Sequence, residues 1–220
     1  MEPQEKLQKM KKLGKIFRIV SLVAGIVIAL MFVFFCLAPA MRLTTDIGKY
    51  AKGYNYYGWQ LIFKGCGYPP LAILCMFEEQ STVAGDYVPN TWDFDFNFWT
   101  FFGLILPLIA LIVCGIVSAK MKNRGKAVCE FVMGGSILLG AILLLCCGAL
   151  SVNVATDMGA GVGFKNQYLL PAIEAGTYKT QFYPIFLFVM ALLVALFKVF
   201  RGLFLLYQRK YALDNKPVLN

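Results

Sequence analysis

Two cysteines, Cys66 and Cys75, are the residues of this sequence best placed for covalent chemistry, because they lie in a long polar interval between apolar stretches. The other five cysteines lie in or beside apolar stretches, where a thiol behaves as a small hydrophobic group. In an oxidising compartment, a disulfide between Cys66 and Cys75 would stabilise the interval by about 2–3 kcal/mol. Two free thiols are the alternative, since a hairpin turning at residues 64–70 would not place these side chains opposite each other.

Acidic residues in the same interval raise the question of a cation site. Asp93 and Asp95 share one face of an extended chain, but the acids lack the spacing of a calcium-binding loop, so a solvated acidic surface is expected. The glycine-rich run at 159–163 is not followed by the Lys-Ser/Thr pair of a phosphate-binding loop, so a flexible loop or a tightly packed helix start is expected. The acids considered for such a site are Glu78, Glu79, Asp86, Asp93 and Asp95.

The sequence contains no histidine, which is the commonest general base and the commonest transition-metal ligand. It also has no Gly-x-Ser-x-Gly motif of a serine hydrolase. The sequence therefore predicts a protein that is not an enzyme, with no catalytic, metal-binding or cofactor-binding residues.

The composition indicates a membrane protein. Hydrophobic residues make up 59% of the chain and charged residues 15%, against roughly 45–50% and 25% in soluble domains. The net charge of +9 comes from lysines and arginines that flank the apolar runs. This placement favours a lipid bilayer as the partner and not nucleic acid.

Four apolar runs predict an all-α fold, a bundle of four transmembrane helices at about residues 19–41, 98–119, 131–152 and 181–207. The first run could also be read as a signal peptide, but it is longer than the usual apolar core of one. Ser21, Gly25 and Ala29 form a stripe of small residues against which another helix could pack. Lys198 and Arg201 lie near a span end and are expected to extend to the membrane surface. With no acid inside these limits, a pump or proton-coupled carrier is not expected.

The distribution of basic residues predicts the orientation. The N-terminal tail, the turn at 120–126 and the C-terminal end hold six, four and five Lys or Arg residues, whereas the two remaining loops hold four and two. Cytoplasmic loops of membrane proteins carry the excess of positive charge. Both termini are therefore expected in the cytoplasm, with residues 42–97 and 153–180 outside the plasma membrane.

The first extracellular loop, residues 42–97, carries two alternating aromatic patterns, one from Tyr57 to Phe63 and one that begins at Trp92 and alternates with polar residues. Large apolar side chains recur at every second position from Tyr57 to Phe63, which predicts a strand with one apolar face. These patterns predict a small antiparallel β-sheet or hairpin whose aromatic residues either contact a partner or pack at the membrane interface. The predicted interaction surface comprises Tyr57, Trp59, Leu61, Phe63, Trp92 and Phe94.

The stretch Gly58-Trp59-Gln60-Leu61, followed by Cys66 and Cys75, resembles the first outer loop of the claudin and peripheral myelin protein group. The resemblance implies four spans, cytoplasmic termini, a small antiparallel sheet outside the cell and a disulfide between the two cysteines. The run Gly58 to Gly65 also resembles a stretch found after the first helix in uncharacterised four-span proteins of Gram-positive bacteria.

Three functional hypotheses are compatible with this layout. The first is a non-enzymatic interaction or structural subunit that contacts another membrane protein, or a second copy of itself, through the first extracellular loop. The second is an oligomeric small channel, carrier or export subunit. The third is a membrane protein that confers immunity to a toxin or bacteriocin.

Overall fold

The computed structural model describes residues 3–45, 52–59, 61–62, 97–149 and 178–214. Within these ranges the chain is mainly helical and carries one small sheet. The main elements, in chain order, are helix α1 (Pro3–Phe35), strands β1 (Pro39–Thr45) and β2 (Lys52–Tyr57), helices α2 (Phe98–Lys120) and α3 (Asn123–Leu145), strand β3 (Tyr178–Thr180) and helix α4 (Phe182–Asp214).

Among the described residues, four helices are long enough and apolar enough to cross a membrane, which confirms the expectation of four apolar helices. Helices α1 and α4 have 33 residues each. At about 1.5 Å per residue each is about 50 Å long, well beyond the roughly 30 Å hydrocarbon core of a bilayer. The four helices therefore indicate a membrane protein, and α1 and α4 are longer than one crossing of the apolar layer requires.

The helix limits differ from the predicted spans in one way that matters for function. Helix α1 ends at Phe35, before the expected limit at residue 41, while α3 begins at Asn123, well before residue 131. Glu130 therefore lies inside α3, which corrects the expectation that the spans contain no acid. Hydropathy places Glu130 outside the apolar run, because a hydropathy scale counts the charge of the side chain but not the buried cations that compensate it.

The chain forms two compact units. One comprises the described parts of Met1–Phe32, Leu104–Ala141 and Leu187–Asn220; the other comprises the described parts of Val33–Gly103 and Ile142–Phe186. The described residues of the first unit are helical except for the short turn between α2 and α3. The second contains the sheet.

In the helical unit, α1 and α4 pack side by side in opposite directions. The ring of Phe17 meets three phenylalanines of α4 edge-on, at centroid distances of 5.0 to 6.2 Å. Further along, the side-chain amide of Gln208 donates a hydrogen bond to the carbonyl of Met10 (2.6 Å), and the Lys6 ammonium lies 5.1 Å from the centre of the Tyr211 ring. The pairing therefore continues through the basic ends of both helices. The three α4 rings are those of Phe197, Phe200 and Phe204.

The sheet has three antiparallel strands in the order β2-β1-β3. In the central strand, Arg42 lies opposite Asn55 on one side and Lys179 on the other. An antiparallel sheet was expected, but its third strand comes from the segment before α4. Three residues, Tyr178–Thr180, are too few for a recognisable alternating pattern.

The strand predicted from Tyr57 to Phe63 is wrong beyond Tyr57. The chain turns there, with the Leu61 amide donating to the Tyr57 carbonyl (3.3 Å) and the Ile62 amide donating to the Trp59 carbonyl (3.2 Å). Leu61 and Ile62 are both fully buried, whereas neighbouring residues of a strand point to opposite faces. Gly58 permits the turn, because a Cβ atom there would collide with Phe35.

Helix α2 begins at an asparagine cap. The Thr100 amide donates to the Asn97 Oδ1 atom (3.0 Å), which satisfies one of the free amides at the start of the helix. The Asn97 amide in turn donates to the Ile62 carbonyl (2.9 Å). The cap therefore ties the start of α2 to the turn that follows β2.

Candidate functional site: a buried ion cluster

Glu130 of α3 is the centre of a buried group of charges. Its side chain is 3% exposed and faces two cations of α4, with the Lys198 ammonium 3.4 Å from Oε2. The Arg201 guanidinium donates to the other carboxylate oxygen, Oε1. Lys198 and Arg201 are three residues apart, a spacing that places both side chains on one face of a helix. A single carboxylate therefore bridges two cations of the neighbouring helix.

Ser21 brings a third helix into the same group. Its hydroxyl donates to Glu130 Oε2 (3.1 Å) and accepts from the Lys198 ammonium (2.7 Å). The ammonium also donates to the Ser21 carbonyl (3.2 Å). We refer to Ser21, Glu130, Lys198 and Arg201 as the buried ion cluster; it joins α1, α3 and α4.

Glycines allow the helices to approach closely enough for the cluster to form. A Cβ atom at Gly134 would lie 3.2 Å from the Ala195 carbonyl oxygen and 3.3 Å from Lys198 Cβ. At Gly202, a Cβ atom would lie 2.6 Å from the ring of Phe131. Small residues commonly mark such contacts between membrane helices. Gly25, from the predicted small-residue stripe, is also buried, with Lys198 Nζ 3.7 Å from where its Cβ would be.

The cluster lies well inside the helices. Lys198 is about 24 Å along α4 from Phe182, and Glu130 is about 10 Å along α3 from Asn123. Lys198 was expected to extend to the membrane surface, but it is only 2% exposed and turns inward to Glu130. Its counterion explains this orientation, because a paired ammonium does not need the headgroup region for charge compensation.

The charges of the cluster do not cancel. One carboxylate faces two cations, which leaves a formal charge of +1 if all three groups are ionised. Removing an ion from water costs several kcal/mol, and a close partner with additional hydrogen bonds repays this cost. Glu130 is therefore the residue on which both cations depend.

The combination of serine, lysine and carboxylate suggests nucleophilic catalysis, but the hydrogen bonds run the wrong way. A lysine base would accept the serine proton, whereas here Lys198 donates to Ser21 and the serine proton points to Glu130. Ser21 is also completely buried. The geometry instead suits a structural role, in which hydrogen bonds and ion pairs fix the positions of three helices relative to one another.

The predicted interaction residues fall into two groups. Tyr57 is 39% exposed, Trp59 is half-buried and Leu61 is fully buried. Phe63, Trp92 and Phe94 lie outside the described residues, as do the acids at 78–95 and the glycine-rich run at 159–163. Cys66 and Cys75 also lie outside them, so their pairing stays a prediction.

Sequence reasoning missed the buried ion cluster, although one signal for it was present. Glu130 is the acid next to an apolar run, and α4 carries two cations one helical turn apart within its own apolar run. Opposite charges in two adjacent membrane helices indicate an ion pair.

Comparison with known proteins identifies no relative of this chain: no protein-family model, no curated protein and no solved structure matches it.

Proposed function

We propose that this chain is a non-enzymatic plasma-membrane protein with both termini in the cytoplasm. In this proposal the face formed by the three-stranded sheet and the first extracellular loop contacts another membrane protein or a second copy of the chain. The excess of basic residues at both ends and in the turn between α2 and α3 supports this orientation.

The observation that carries the proposal is the pairing of β1 with β3. Strand β1 follows α1 and strand β3 precedes α4, and Arg42 lies opposite Lys179 between them. This pairing requires the end of α1 and the start of α4 to lie on the same side of a membrane, as the predicted orientation has it. Two segments that join in one hydrogen-bonded sheet give an ordered surface, which suits recognition of a partner better than separate flexible loops.

The exposures of the aromatic segment indicate which residues to test. Leu61 is fully buried and supports the turn, so its substitution would report on folding and not on binding. Tyr57 is 39% exposed and ends β2. Exposed tyrosines are common anchors of protein interfaces. Tyr57 is therefore the best site for a contact probe.

A photo-crosslinking amino acid at Tyr57 tests the proposal in native membranes. We expect a discrete crosslinked product, containing either a second copy or one other membrane protein. Tyr207 provides the matched control, because it is also an exposed tyrosine (51%) but lies on α4. The proposal fails if position 57 gives no product, or gives only the products seen at position 207.

A small channel, carrier or export subunit is the second candidate, and the buried ion cluster favours it. Ionisable residues inside membrane helices often mark the path of an ion or substrate. Liposomes containing only this protein should then show solute flux, and Glu130→Gln should reduce it in a preparation that retains its helical content. Flux that is unchanged in this variant would remove the cluster from the transport path.

A further inference from the structure

Helices α1 and α4 enclose an apolar groove of about 340 Å³. Ile28 and Val194 form its buried floor, and the more exposed Val20, Val23 and Val27 line it from α1. All of its lining side chains are apolar, and many are large and exposed, so in a bilayer the groove opens to lipid.

The length of the groove corresponds to one leaflet. Its lining extends along α1 from Ile19 to Met31, which is about 18 Å at 1.5 Å per residue. Half of the bilayer hydrocarbon core is about 15 Å. The groove is therefore long enough to hold one acyl chain lying along the helices.

The N-terminal end of the groove leads to lysines on the same helix face. Going back from Val20 in steps of three or four residues gives Ile16, Lys12 and Lys9, a spacing that keeps side chains on one face. Lys12 is exposed and lies about 10 Å along the helix from Ile19. A phosphate above an acyl chain in the groove would face this side chain.

We propose that the groove binds one anionic phospholipid of the cytoplasmic leaflet, with an acyl chain along Val20, Val23 and Val27 and the phosphate at Lys12. The cytoplasmic leaflet carries the anionic lipids, which attract basic residues next to a membrane span. This inference goes beyond the proposed contact role and shares only the membrane orientation with it. Lipid binding is measured on the purified chain, so its outcome does not depend on the partner of the sheet.

Native mass spectrometry of the full chain in detergent, titrated with phosphatidylglycerol or phosphatidylcholine, tests the site. We expect one molecule of phosphatidylglycerol to remain bound under conditions that remove phosphatidylcholine. Val23→Trp should fill the groove and reduce this retention at least tenfold. Leu22→Trp is the matched control, because Leu22 is 62% exposed and lies outside the groove lining.

The headgroup contact is tested by removing one charge at a time. Lys12→Gln should reduce the preference for phosphatidylglycerol severalfold, whereas Lys11→Gln should leave it unchanged. The two variants lose the same charge at adjacent positions about 100° apart around the helix. Val27→Trp repeats the groove test if Val23→Trp does not fold. Equal retention of the two lipids, equal effects of the two tryptophan variants, or equal effects of the two glutamine variants would overturn the inference.

Discussion

The Glu130 carboxylate of α3 and the Lys198 ammonium of α4 lie 3.4 Å apart with side chains that are each only 3% exposed. Ser21 and Arg201 complete the hydrogen bonding of the pair from two directions. A pair so far from solvent depends on its partners, because neither charge can be compensated by water. This dependence makes the stability of the helical unit sensitive to each member of the cluster in a different way.

Glu130→Gln should destabilise the protein strongly. The change leaves Lys198 and Arg201 buried without a counter-charge, and breaking a buried pair in this way costs about 3–5 kcal/mol. Thermal or denaturant unfolding in detergent micelles would measure the loss. Glu5→Gln is the control, since its pair with Lys9 is exposed and of the i,i+4 type, worth about 0.3–0.5 kcal/mol. Equal effects of the two variants would show that the cluster does not support the fold.

Lys198→Met should lower the free energy of unfolding less than Glu130→Gln does, although both variants remove one charge from the cluster. After the lysine is replaced, Glu130 keeps Arg201 as a counter-charge and the cluster has no excess charge. The order of the two free energies of unfolding, measured under identical conditions, tests the assignment of Glu130 as the shared partner. A larger loss for Lys198→Met would mean that the hydrogen bonds to Ser21 matter more than the ion pairs.

Gly134→Ala and Gly135→Ala should differ although the two residues are neighbours. A Cβ atom at Gly134 meets the Ala195 carbonyl oxygen at 3.2 Å, whereas one at Gly135 meets no atom within 4 Å among the described residues. We expect the first change to cost about 1–3 kcal/mol by separating α3 from α4. The second should be neutral or stabilise by up to about 1 kcal/mol, because alanine favours the helix. Unfolding free energies of both variants would decide this, and equal values would place the contact between α3 and α4 elsewhere.

The sequence predicted the helices better than the cluster that connects them. Charge-free runs predict membrane helices because the bilayer core excludes charge, and all four helices were found in this way. The same rule hid Glu130, whose burial depends on cations far away in the sequence. The third strand was missed for a similar reason, since Tyr178–Thr180 becomes a strand only by pairing with β1. In both cases the deciding interaction is long-range: the charges of the cluster are visible in the sequence, but their pairing and the pairing of β3 with β1 are not.

Asn97→Ala should weaken the start of α2 by about 1 kcal/mol, because the Thr100 amide loses the side-chain oxygen that it donates to. Asn97→Ser should retain more of the stability, since its hydroxyl oxygen can accept the same hydrogen bond without placing a charge at this buried position. Unfolding in detergent would measure both variants. If serine is as damaging as alanine, the side-chain NH2 group of Asn97 and not its Oδ1 atom supports the helix.

A disulfide between Arg42→Cys and Lys179→Cys should form readily in a variant that otherwise lacks cysteine. These positions are direct partners across β1 and β3, and both side chains are exposed. Opposite residues in an antiparallel pair have Cβ atoms about 4.5–5.5 Å apart, close to disulfide geometry. The matched control joins Arg42→Cys to Thr180→Cys, because successive residues of a strand point to opposite faces. Faster oxidation of the 42–179 pair, measured by a gel shift after mild oxidation of membranes, would support a sheet that joins the two segments. Equal rates for both pairs would contradict the register of β1 and β3. They would also remove the support for placing the end of α1 and the start of α4 on the same side of the membrane.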